Sequence, residues 1–148
     1  MFEVQDEGSQ LMTLLIGVQK NMKILDMCAG KGTKTILMSN LLKSEENITA
    51  YDKIKERLGV LKSRVKELKL NNINFNFDIK NEEQFDLVLC DVPCSGIGTW
   101  RRRPENIIWL KNEELEKLKL VQNNILFNAA KLCKIGGKIV YITCSLLY

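Results

Sequence analysis

Five short apolar runs, separated by stretches of helical period, constrain the fold of this chain more than any other feature. They cover residues 23–27, 48–52, 73–77, 86–91 and 138–142. Such near-continuous runs are the pattern of strands covered on both faces, as in a parallel sheet. Between them, Ile54, Leu58, Leu61, Val65 and Leu68 recur at the spacing of one helix face. Leu115, Leu118, Val121, Ile125, Ala129 and Leu132 form a second stripe, with Asn112 as its expected N-cap and Glu113 and Glu114 in its first turn. Gly136-Gly137 is the expected stop. A helix over about 33–43 and a short apolar helix near 9–18 complete the order. Strands alternating with helices predict the α/β class, five parallel strands with helices on both faces. With no internal repeat, linker or low-complexity tract, residues 1–148 read as one domain.

Composition narrows the function classes. No stretch approaches the ~20 apolar residues of a membrane span, and the N-terminus lacks a signal-peptide pattern. Five cysteines, an odd number, then point to free thiols in a reducing cytoplasm. The chain has no His and no Cys-x-x-Cys pair, so no metal is expected. Without His, acid–base work passes to Asp, Glu, Lys, Cys or water. The net charge of +4 is concentrated. Seven basic residues between Lys53 and Lys69 face only Glu56 and Glu67, a pattern that reads as the solvated face of an amphipathic helix. Arg101, Arg102 and Arg103 follow a candidate catalytic loop and read as a phosphate-binding cluster. Trp100 beside them could stack on a base, whereas Trp109 reads as packing.

Ligands of a parallel sheet sit at the carboxyl ends of its strands. There the first strand runs into Asp26-Met27-Cys28-Ala29-Gly30-Lys31-Gly32-Thr33-Lys34-Thr35. Small residues between strand and helix let backbone N–H groups approach a ligand closely. The spacing is not that of a Walker loop, and Thr35 breaks the dinucleotide glycine pattern. Twenty residues after Gly32, Asp52 is placed to accept hydrogen bonds from ribose hydroxyls, and Asp78 follows the third strand within reach of an adenine. Three acids around a small-residue loop point to a nucleoside cofactor. Asp26 favours one bearing an ammonium group, such as S-adenosylmethionine.

Two Cys-Ser pairs end the later strands, in Asp91-Val92-Pro93-Cys94-Ser95-Gly96 and in Thr143-Cys144-Ser145. Two thiols at the ligand edge, one beside an aspartate, point to covalent chemistry. Cys90 and Cys133 read as packing residues. The residues alone leave open which thiol attacks.

These motifs resemble those of the RsmB/NOP (Sun-like) family of S-adenosylmethionine-dependent RNA cytosine-5 methyltransferases. The match includes Val4-Gln5-Asp6-Glu7-Gly8-Ser9-Gln10-Leu11, the 26–35 loop, Asp52 with Arg57-Leu58, residues 86–98, Arg101-Arg102-Arg103-Pro104 and Thr143-Cys144-Ser145. Asp-x-Pro-Cys-Ser-Gly with a downstream Thr-Cys-Ser is its most specific element. The resemblance implies a Rossmann-like sheet, Cys144 as nucleophile, Cys94 in product release and Asp91 at the cytosine ring. It places Asp26, Cys28, Ala29, Gly30, Lys31, Gly32, Lys34, Asp52, Arg57, Asp78 and Asp91 around the cofactor, and Arg101, Arg102 and Arg103 on RNA. Ribosomal RNA is the first expectation for the substrate and transfer RNA the second. Where the family has Ala-Pro-Gly-Gly-Lys, this chain has Gly30-Lys31-Gly32-Thr33-Lys34.

Methyltransferases of this fold carry seven strands, and only five are legible here, without the final hairpin. The chain therefore reads as a copy shortened at both ends, with an exposed fifth strand that a partner would cover. Two functions stay open: an active RNA cytosine-5 methyltransferase core, and an inactive remnant that retains cofactor or RNA binding.

Overall fold

The computed structural model describes residues 4–42, 48–79, 84–100, 104 and 111–145. Its elements are α1 (Glu7–Leu15), β1 (Ile24–Asp26), α2 (Thr33–Leu42), β2 (Ile48–Ala50), α3 (Lys55–Glu67), β3 (Ile73–Phe75), β4 (Phe85–Asp91), a 3₁₀ turn (Ile97–Thr99), α4 (Asn112–Leu132) and β5 (Cys133–Ile142). The five strands are parallel, in the order β3-β2-β1-β4-β5. The chain builds outward from β1 to β3, then returns to place β4 on the other side of β1. That reversal opens a crevice beyond the carboxyl ends of β1 and β4.

The apolar runs are buried on both faces because helices cover both. On one face Ile24, Ile48, Leu87 and Leu89 pack with Ile16, Met38 and Leu42, and Leu58, Leu61 and Val65 of α3 pack with Ala50 and Ile73. On the other face Leu25, Val88 and Cys90 pack with Ala129 and Leu132 of α4. No described helix is long and apolar enough to cross a membrane.

Three local expectations are corrected. Lys111, not Asn112, is the N-cap of α4: its backbone is extended and its carbonyl accepts from the N–H groups of Glu114 and Leu115. The helix ends at Leu132, ahead of Gly136-Gly137. Cys133 already pairs with Phe85, residues 134–137 bulge outward, and pairing resumes at Leu87↔Lys138. Gly136 supplies a φ of +80°, and a Cβ on Gly137 would lie 2.7 Å from Cys133 Sγ, so the glycines shape a bulge rather than stop a helix. Finally, β3 ends at Phe75, where the Asn76 side chain accepts from the Asp78 N–H and turns the backbone.

Candidate active site

The carboxyl ends of β1, β2, β4 and β5 open into a cleft of about 1760 Å³. Drug-sized pockets hold about 300–1,000 Å³, so this one has room for a cofactor and part of a second molecule. The apolar stripe of α4 is divided by it. Ala129 and Leu132 enter the core, while Leu118, Val121 and Ile125 line the cleft wall.

The loop after β1 is held by its neighbours rather than by its own hydrogen bonds alone. Ala29 N–H donates to the Tyr51 carbonyl at 2.9 Å, and Gly30 N–H donates to Asp52 Oδ2 at 2.9 Å. The other Asp52 oxygen accepts from Ile54 N–H at 2.8 Å, so this buried carboxylate ties the loop to the start of α3. A carboxylate has about four lone-pair sites, which leaves two for a ligand. The Arg64 guanidinium donates to the Lys31 carbonyl from α3. Gly32 has a φ of +86°, and a Cβ there would lie 1.9 Å from Leu61 Cδ1. No other residue fits.

Asp26 ends β1, is 2% exposed, and accepts from the Thr35 hydroxyl at 2.7 Å. Its second oxygen is buried without a hydrogen-bond partner. Burial pushes its carboxyl up to about 7, against the Thr35 hydrogen bond and with the help of the Asp91 charge. An unsatisfied buried carboxylate beside a cleft is suited to a cationic ligand group. Lys34 Nζ donates to Asp91 Oδ2 at 2.6 Å, joining α2 to the end of β4. Cys28, Lys31 and Arg57 also line the cleft. Asp78 is exposed just beyond the end of β3 and is not among the residues that line the cleft.

The two Cys-Ser segments meet across the ends of β4 and β5. Cys94 Sγ and Cys144 Sγ are 2.9 Å apart, and Ser95 Oγ and Ser145 Oγ are also 2.9 Å apart. Gly98 N–H donates to the Cys144 carbonyl at 2.8 Å, and a Cβ on Gly98 would approach that oxygen to 2.7 Å. The two sulfurs are within hydrogen-bond reach of each other, and either can be the donor. Burial raises Cys94, but donation from Cys144, Thr143 and the backbone N–H groups of Gly96 and Cys144 leaves it below the ordinary thiol range. Burial first, then the Cys94 sulfur, pushes Cys144 up to about 11. Burial also pushes Cys28 up strongly, and Cys90 up to about 12.

A reactivity order follows, because the thiolate is the form that alkylates. Iodoacetamide should modify one sulfur of the Cys94–Cys144 pair first, with a rate midpoint below the pH of about 8.5 of an unperturbed thiol. Cys28 and Cys90 should follow slowly, as read by peptide mass mapping across a pH series. Labelling of Cys28 ahead of the pair would contradict this order.

The structure adds residues to which the sequence reading assigned no role. Gln122 of α4 donates from Nε2 to the Pro93 carbonyl at 2.7 Å, anchoring the loop that carries Cys94. Its signal in the sequence was a polar residue directly after Val121 of the apolar stripe. Gln5, Asp6 and Ser9 line the cleft from the segment before and within α1, where Asp6 caps the helix through Ser9 N–H. Arg101, Arg102, Arg103 and Trp109 lie outside the described residues. Among the described residues, no group of three or more His, Cys, Asp or Glu is placed to hold a metal ion.

Comparison with known proteins agrees with this arrangement. Residues 12–148 match the family described as 16S rRNA methyltransferase RsmB/F. Ribosomal RNA small subunit methyltransferase B of Shewanella oneidensis is 38% identical over 153 residues, covering 97% of this chain and 35% of that protein. The Proteus mirabilis protein of the same name is 36% identical over 151 residues, with coverages of 97% and 35%. Among solved structures, NSun6 from Pyrococcus horikoshii with SFG superposes with a TM-score of 0.87 at 28% identity, over 97% of this chain and 38% of that one. A methyltransferase homolog from the same organism gives 0.81 at 25% identity, over 98% and 47%. The chain spans about a third of the length of the curated relatives it matches. It belongs to the RsmB/F family of 16S rRNA methyltransferases, built on the Rossmann-like sheet of enzymes that use S-adenosylmethionine.

Proposed function

We propose that this chain is the catalytic core of an RNA cytosine-5 methyltransferase that works through a covalent cysteine adduct. The observation that carries the proposal is the pair of sulfurs 2.9 Å apart at the ends of β4 and β5, beside Asp91 and one ion pair away from the glycine loop. Thiols kept only for packing have no need to face each other, partly exposed, at a cleft mouth.

The cofactor side is assigned to Asp26, Cys28, Ala29, Gly30, Lys31, Gly32, Lys34, Asp52, Arg57, Asp78 and Asp91. Bound there, S-adenosylmethionine supplies an electrophilic methyl group on a sulfonium. The unpaired Asp26 oxygen suits an ammonium group, and the remaining Asp52 lone pairs suit ribose hydroxyls.

Carbon 5 of cytosine is a poor nucleophile in the intact aromatic ring. A Cys144 thiolate adding to carbon 6 makes it enamine-like, dividing one hard step into easier ones. Asp91, ion-paired with Lys34, is assigned to the ring nitrogen where charge develops, a role it fills when it is protonated or shares a proton. Once carbon 5 carries the methyl group, its proton must leave and the carbon 6–sulfur bond must break. Cys94, within hydrogen-bond reach of Cys144, is assigned to assist that release as the Cys144 thiolate is expelled. A cytosine in a duplex would first have to be extruded, which favours a loop or single-stranded site in ribosomal RNA. Arg101, Arg102 and Arg103 are assigned to its phosphates.

The test is transfer from methyl-labelled S-adenosylmethionine to ribosomal RNA by the purified chain, followed by nucleoside analysis. The label should appear in 5-methylcytidine. Label on another atom would overturn the assignment. Calorimetric cofactor binding without any transfer would leave a chain that only holds its cofactor.

A further inference from the structure

We infer that the exposed side of α3, with the groove beside it, is a second binding site for an RNA sugar–phosphate backbone, separate from the cleft. The inference rests on RNA being the substrate. Residues 53–69 carry seven basic side chains against two acidic ones, an excess larger than the +4 of the whole chain. The rest of the molecule is therefore slightly acidic in sum, the Arg101-Arg102-Arg103 cluster apart. Although Lys53 and Arg57 of this run line the cleft, its other five basic residues lie outside it.

The helix is more than a solvated charged face. Between it and the sheet edge at β3 lies a groove of about 510 Å³, lined by Gly59, Lys62, Ser63, Lys66, Leu70 and Phe75 among others, none of them acidic. Lys62 and Lys66 stand one turn apart, about 6 Å along the axis. Gly59 lies one turn before Lys62, in the interior of α3. Glycine there destabilises a helix more than any residue except proline. Neither its backbone nor its packing requires it, since its φ is not left-handed and a Cβ would meet nothing within 4 Å. Its effect is to keep the floor of a basic groove open.

The occupant's chemistry follows from what α3 can offer. Its apolar side, Leu58, Leu61 and Val65, is spent in the core. No apolar face remains to enter a bilayer, as an interfacial helix would need. Arg64 already holds the Lys31 carbonyl, so the site consists chiefly of Lys62 and Lys66, extended by Lys55 and Lys69 at the helix ends. Flexible ammonium groups spaced along one edge suit successive phosphates of one strand.

The experiment compares full-length wild type with Lys62→Gln/Lys66→Gln and with Gly59→Glu. It measures fluorescence anisotropy of a labelled single-stranded RNA between 50 and 200 mM salt, with cofactor binding and thermal melting as controls. Two lost phosphate contacts should flatten the slope of log affinity against log salt by about 1.4 and weaken binding at 0.1 M salt about tenfold or more. A Cβ at position 59 meets nothing within 4 Å, so Gly59→Glu should fold and weaken RNA binding by adding a carboxylate at the groove. Cofactor binding should stay at the wild-type value, and neither variant should melt below wild type. An unchanged salt slope in both variants would overturn the inference, as would loss of polyglutamate binding with RNA binding intact, which would identify an acidic protein partner. RNA binding that depends on Lys62 and Lys66 without methyl transfer would contradict the proposed activity while leaving this site standing.

Discussion

Cys94→Ala should accumulate a covalent complex with RNA that survives denaturing electrophoresis, whereas Cys144→Ala should form none and lose methyl transfer by on the order of 10⁴-fold or more. The asymmetry comes from the different tasks assigned to two sulfurs within hydrogen-bond reach of each other. In the wild-type pair each sulfur is the nearest proton acceptor for the other, at 2.9 Å. Removing Cys144 removes the atom assigned to bond carbon 6, and the neighbouring sulfur, Cys94, is assigned to adduct breakdown rather than to attack. Cys28 and Cys90 are held protonated by burial. Removing Cys94 leaves the attacking atom but takes away the group assigned to adduct breakdown, so the intermediate should persist. Because Cys94 is the sulfur that loses its proton more readily in the resting pair, the opposite assignment has a definite signature. An adduct trapped in Cys144→Ala and absent in Cys94→Ala would exchange the two roles. An adduct in neither variant, with transfer reduced in both, would refute covalent catalysis by this pair.

Much of this arrangement was legible in the sequence because it depends on order along the chain. The runs ending at Asp26, Asp52, Asp91 and Ile142 are apolar at successive positions, and only a sheet covered on both faces accommodates that pattern. The carboxyl-end rule then places Asp26, Cys94 and Cys144 at one edge before any coordinates are known. What remained hidden depends on contacts between distant segments. Gly98 looks like any loop glycine until the Cys144 carbonyl is found against it. Gln122 reads as a polar helix residue until the Pro93 carbonyl appears opposite. Asp52 was read as a ribose acceptor, and the backbone N–H groups of Gly30 and Ile54 already occupy both its oxygens. The third strand reads to Phe77 in the sequence and ends at Phe75, because sequence pattern cannot show that the Asn76 side chain accepts from the Asp78 N–H. The Gly136-Gly137 pair was read as a helix stop, since a glycine pair marks a bulge and a helix end equally well.

Gly32→Ala should destabilise the fold by about 2–5 kcal/mol, combining about 1–2 kcal/mol for a left-handed backbone with a side chain and about 1–3 kcal/mol for overpacking. Domains of this size are stable by only about 5–15 kcal/mol, so the melting temperature should fall by roughly 6–15 °C. The collision is specific. The added methyl would lie 1.9 Å from Leu61 Cδ1, and Leu61 is fully buried among Ala29, Ile36, Leu58 and Val65. It can retreat only by moving α3, and α3 is fastened to the same loop through Asp52 and Arg64. Cofactor binding should therefore weaken together with stability, because the strain enters at the loop that presents the Gly30 N–H. A double-mutant cycle separates this cause from general damage. Leu61→Ala alone should lose about 2–5 kcal/mol by opening a cavity. Combined with Gly32→Ala it should lose clearly less than the sum, since the cavity receives the new methyl. Strict additivity would mean that backbone strain alone accounts for the loss. Gly59→Ala supplies the opposite control: with nothing within 4 Å of its Cβ position, it should raise stability by up to about 1 kcal/mol through helix propensity. Denaturant midpoints for the five proteins, wild type included, read all of these outcomes on one scale.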